Sequence, residues 1–169
     1  MELAPFCQNS IWDTGDNLMT QETIDTLSRW ALRMDGGFLA LAGTGGLVAD
    51  TVGHFLGAGP MAEGLGSPFS IGGFEAHGLA VILGSFTIHS ANGDQRRLWH
   101  ALGMILHLLL GAANLMFWSS FVQLQVVPMG IVTTALHIAF VGIQAVCLSL
   151  LKPAAAAPYF GKPTERESN

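Results

Sequence analysis

Four long apolar stretches, separated by short polar ones, dominate the chain: about Gly36 to Leu56, Phe69 to His89, Leu98 to Phe121 and Val126 to Leu151. Roughly 20 consecutive apolar residues suffice for a helix to cross a bilayer's hydrocarbon core, so the pattern predicts four transmembrane helices. Gly57, Gly59, Pro60, Gly64, Gly66 and Pro68 mark the loop between the first two spans, and Ser90, Asn92, Gly93 and Asp94 the turn before the third. The last connection is only a few residues long. Pro128 falls near the start of the fourth helix, where a missing backbone N–H costs least. The expected fold class is all-α, an integral membrane antiparallel four-helix transmembrane bundle.

Ahead of the first span, Ile24, Leu27, Trp30, Ala31 and Met34 recur at helical spacing opposite Glu22, Asp25, Arg29 and Arg33, behind a Thr20 suited to cap. Two structures satisfy this pattern: a short amphipathic helix lying at the membrane interface, or an extension of the first span beyond the bilayer. Residues 1–19 show no lasting periodicity, and the Ala-Pro run and polar end after Lys152 read as a disordered tail. The expected organisation is thus an N-terminal segment over 1–33 with the interfacial helix, a transmembrane domain over 34–152 and a tail over 153–169.

Charge orients the bundle. All seven basic residues fall in three places: Arg29 and Arg33, Arg96 and Arg97, and Lys152, Lys162 and Arg166. Two spans separate each group from the next, so every basic residue shares one face. Short basic loops stay cytoplasmic, which predicts both termini inside. Composition agrees with a membrane protein: 50% of residues are hydrophobic and 11% charged, against roughly a quarter charged in soluble domains. The net charge of −5 gives no footing for nucleic acid. Met1 to Trp30 lacks the order of a signal peptide, so the first span is expected to stay as an uncleaved anchor. Cys7 and Cys147 are too far apart in this topology to bridge, and no zinc spacing is present.

An ionisable group in hydrocarbon is costly and marks a functional hypothesis. Two acids fall within the expected spans, Asp50 and Glu75, both about two turns from the outer ends of their helices. His54 follows Asp50 by four residues, His77 follows Glu75 by two, and Asn114 reaches a similar level from span three. Asp50, His54, Glu75, His77 and Asn114 therefore form a candidate outer site for a ligand or proton. Glu75 and His77 point roughly 200 degrees apart on a helix, and His77 lies on the small-residue side with Gly73, Ala76, Ala80 and Gly84, which makes it the better interior group. A hydrogen-bonded plug joining helices one and two satisfies the same residues.

A second stripe runs through the middle. His100, His107 and Asn114 recur every seven residues on span three, opposed by Thr133, His137 and Gln144 on span four. His107 and His137 sit at matching depth and can serve as the axial pair of a b-type haem, or as polar glue between helices. His89 and His100 are expected near the inner interface, solvated or facing lipid. Trp30, Trp99 and Trp118 mark span ends as an aromatic belt does. No Walker-type loop, HExxH or nucleophile elbow is present, so any catalytic role rests on the outer cluster.

The order of features resembles the DoxX-like group of small four-helix membrane proteins over roughly residues 33–151. Arg33 opens span one, which carries Phe38-Leu39 and ends at Gly59-Pro60. Span two begins Gly73-Phe74-Glu75-Ala76-His77-Gly78-Leu79 and leads through Gly84 to Arg96-Arg97. The family's typical Lys late in span one is replaced here by the Val48 to Asp50 region. The resemblance implies a multi-pass protein of the bacterial inner membrane linked to quinone or sulfur redox chemistry, or to membrane stress responses. The functional expectation is a small bundle whose outer site takes a lipophilic redox ligand such as quinone, working with a redox partner subunit or a second copy of itself. The alternatives are a haem b electron-transfer subunit and a purely structural subunit.

Overall fold

A computed structural model describes residues 19–59, 62 and 68–151. The segment 1–18 with Cys7, most of the loop 60–67 with Gly64, and the tail 152–169 lie outside the described residues. Among those described, the chain is helical without strands: α1 Gln21–Leu56, α2 Pro68–Ser90, α3 Arg96–Met116, α4 Trp118–Gln123 and α5 Val127–Leu150. Helices α1, α2, α3 and α5 are long and apolar enough to cross a membrane.

The N-terminal pattern resolves as the extension. Helix α1 is continuous over 36 residues, about 54 Å at 1.5 Å per residue, with no break at the 33/34 boundary expected between segment and span. Thr20 caps it, accepting from the Thr23 N–H at 3.3 Å, and Gly57 ends it in the left-handed conformation at φ 58°, donating to Gly53. Its early turns stay in the bundle because their buried face is not the apolar stripe. Ser28, Ala31, Leu32 and Asp35 point inward, whereas Trp30 and Met34 point out.

That inversion holds throughout. Leu41, Ile71, Leu109, Met116 and Ile138 are all more than 60% exposed, while His100, His107 and Gln144 are fully buried. Water would favour the opposite arrangement.

Helices α1 and α2 form one antiparallel pair and α3 and α5 the other, with α1 also touching α3 and α5. The first pair packs through glycine. A Cβ on Gly84 would lie 2.6 Å from the Gly36 carbonyl oxygen, and one on Gly43 2.7 Å from that of His77, so only glycine permits this backbone approach. Gly43 is buried on this face, whereas its neighbour Ala42 is exposed.

Span three ends earlier than expected, at Met116. The chain re-forms as α4 and turns into α5 through Gln125 at φ 57°, a left-handed conformation uncommon for a residue with a side chain. Phe121 of α4 then seats on Gly130.

At the opposite end the basic residues stitch helices together. Arg96 donates to the backbone carbonyl and the carboxylate of Asp25, both at 3.1 Å. Arg33 donates to Asn92, and Arg97 donates to the carbonyls of Leu148 in the last turn of α5 and of its C-cap residue Leu151, at 2.7 Å. The latter is where a cation complements a helix C-terminus.

Candidate functional site

The seven-residue stripes of α3 and α5 face each other as their spacing predicts. Running antiparallel, they pair His100 with Gln144, His107 with His137, and Asn114 with Thr133 and Thr134. Helix α1, parallel to α3, adds a third stripe in register: Ser28 meets His100, and Asp35 meets His107 seven residues on.

These contacts make one chain of hydrogen bonds centred on Asp35, whose ionised carboxylate can only accept. One of its oxygens takes the Nε2–H of His107 at 2.7 Å, and the other takes the Gln144 amide. Gln144 in turn accepts from His100 Nδ1, whose Nε2 is left to accept from the Ser28 hydroxyl at 2.8 Å. On the other side His107 Nδ1 meets His137 Nδ1 at 2.8 Å. Phe38 and Phe140 close over the imidazoles, with Phe140 stacked on His107 at 4.9 Å between centroids. Gly103 makes room for this centre, since a Cβ there would lie 2.7 Å from the Asp35 carboxylate.

Asp35 is a fully buried acid that the hydropathy pattern does not single out. It stands two residues after Arg33, at a position assigned to the edge of the first span. Its signal is the seven-residue interval from Ser28, which matches His100 to His107. His100, expected at the interface, is instead fully buried, because Ser28 and Gln144 satisfy both ring nitrogens.

The five residues of the candidate outer site divide. Asp50 and His77 come together, with His77 Nδ1 2.7 Å from Asp50 Oδ2. Gly46 permits it, because a Cβ there would fall 2.2 Å from the His77 ring, whereas at Gly73 a Cβ would make only ordinary contact with the Asp50 carboxylate, at 3.8 Å. The other three are elsewhere. Glu75 is exposed on the far side of α2, as its angular separation from His77 requires. His54 is exposed and packs edge-on to Phe55 at 4.7 Å. Asn114 is spent on α5, donating to Thr133 and Thr134 at 3.2 Å each.

The remaining pair is unevenly satisfied. Asp50 is 8% exposed, and its Oδ1 is buried without a hydrogen-bond partner among the described residues, while the His77 side chain keeps 36% exposure. A buried acceptor left empty costs about 1–3 kcal/mol or more when charged, so this oxygen is primed for a donor.

The haem expectation does not fit the second pair. Two metal–imidazole bonds of about 2.0–2.1 Å need about 4 Å between the ligating nitrogens with the macrocycle between them. His107 and His137 instead touch directly, between packed phenylalanines.

No family model, curated protein or solved structure matches the chain.

Proposed function

We propose that this chain is a multi-pass membrane protein in which the Asp50–His77 pair exchanges a proton with a lipophilic redox ligand of the quinone class. Its outward-facing apolar surface and inward polar groups support the membrane reading. In the orientation set by the basic residues, the pair sits toward the outer leaflet, and the order of features shared with the DoxX-like group supports the ligand class and a bacterial inner membrane.

The carrying observation is the empty, buried Asp50 Oδ1 beside a histidine that remains open to the outside of the bundle. A quinol hydroxyl donates to that oxygen. His77, oriented by Asp50 through Nδ1, holds or releases the proton that accompanies each electron. The electrons come from a redox partner subunit.

Binding of a short-chain quinone to the protein in nanodiscs tests this. Asp50→Asn and His77→Phe should each weaken binding by about tenfold, the 1.4 kcal/mol scale of one hydrogen bond. Unchanged binding in both variants overturns the ligand site. It leaves a second reading, a polar lock between α1 and α2, which the fit of His77 against Gly46 favours.

A further inference from the structure

We propose that Asp35, His107 and His137 form a reversible proton-binding centre in the bundle interior, separate from the Asp50–His77 pair and independent of any ligand there. Three elements supply it: Asp35 from α1, His107 from α3 and His137 from α5. The other groups facing it are His100 and Gln144, linked to Asp35 through the Gln144 amide. Helix α2 packs on α1 at this level through Gly84 and Ile88; of its ionisable side chains, Glu75 and His89 are exposed and His77 is paired with Asp50. The nearest guanidinium groups are engaged elsewhere, Arg33 with Asn92 and Arg96 with Asp25.

The hydrogen-bond inventory works in two protonation states. With both imidazoles neutral, His107 carries its proton on Nε2 toward Asp35 and accepts at Nδ1 from His137 Nδ1–H. The centre then bears the uncompensated charge of Asp35, which is costly in a dry interior. One added proton, taken up at His137 Nε2 as the His137 Nδ1 proton passes to His107, makes His107 an imidazolium that donates from Nε2 to Asp35 and from Nδ1 to His137. The charge is cancelled, and the 2.8 Å Nδ1–Nδ1 contact is filled in both states, with the donor reversed. Two imidazoles meeting nitrogen to nitrogen can therefore pass a proton with no side-chain movement.

Access is one-sided. Asp35 and His107 have no exposed surface, whereas His137 keeps 7%. Toward the basic end the path meets Gln144, whose amide nitrogen donates to Asp35 and has no basic lone pair with which to relay a proton. The Ser28–His100–Gln144 branch holds Asp35 in place, and His137 is the member of the centre that keeps some exposure.

Nitrogen-15 NMR of histidine-labelled full-length protein in nanodiscs reads this directly. The expected result is a through-bond Nδ1–Nδ1 coupling between His107 and His137, whose shifts move together as one proton is gained when the pH is lowered, while His100 keeps its tautomer. Asp35→Asn should abolish the joint transition. His100→Gln should leave it in place. Fixed protonation of both rings from neutral pH down to the onset of unfolding in the unaltered protein, or an unchanged transition in Asp35→Asn, overturns the centre. Both outcomes are independent of quinone binding.

Discussion

Asp35 accepts the His107 Nε2–H at 2.7 Å with both side chains at 0% exposure. Breaking a buried pair by removing one partner strands the other, at about 3–5 kcal/mol. Asp35→Ala should therefore lower unfolding free energy in detergent by about that much, while Asp35→Asn, which keeps the shape and one acceptor, should cost less. Equal stability of native and Asp35→Ala protein would show that the pair contributes nothing to folding.

Asp50 and His77 should behave differently, because Asp50 already carries an empty acceptor. Replacing both together, Asp50→Leu with His77→Leu, removes two desolvated polar groups. Such paired replacement is often neutral or stabilising. The double variant should fold at least as well as the native protein and bind no quinone. A loss of several kcal/mol would instead mark the pair as a structural lock.

The glycines should sort by what faces them. Gly84→Ala places a methyl 2.6 Å from the Gly36 carbonyl oxygen, and forcing α1 from α2 should cost about 1–3 kcal/mol. Gly45→Ala meets nothing within 4 Å and should stabilise by up to about 1 kcal/mol through helix propensity. Thermal unfolding of the two variants side by side gives the comparison.

Orientation can be read with single cysteines in a cysteine-free background. Cysteine at exposed Ala58, beyond α1, should react with an impermeant thiol reagent from outside intact cells. One at exposed Asp94, in the turn before α3, should react only after permeabilisation. The reverse pattern inverts the assigned topology.

The basic end should depend on Arg97, which donates to two terminal carbonyls of α5. Arg97→Ala should loosen that terminus at a cost of about 0.3–1 kcal/mol, seen as faster amide exchange over the last turn of α5.

Sequence alone determined what hydropathy and spacing can carry. Apolar length set the four long helices, Thr20 and Gly57 marked the ends of α1, and the sevenfold spacing of His100, His107 and Asn114 placed them on one face opposite Thr133, His137 and Gln144. These are local properties, fixed by 1.5 Å of rise and about 100 degrees of turn per residue. Tertiary structure alone decided which way the polar groups of the first two spans turned. Residues at one depth on separate helices need not share a direction, which is why Asp50 found His77 while His54 and Glu75 turned outward and Asn114 went to α5. It also decided that α1 would run parallel to α3 and in register with it. That register brought Asp35 from the apparent edge of a span to the middle of the polar seam, because Ser28 and Asp35 meet His100 and His107 only when the two helices pack side by side.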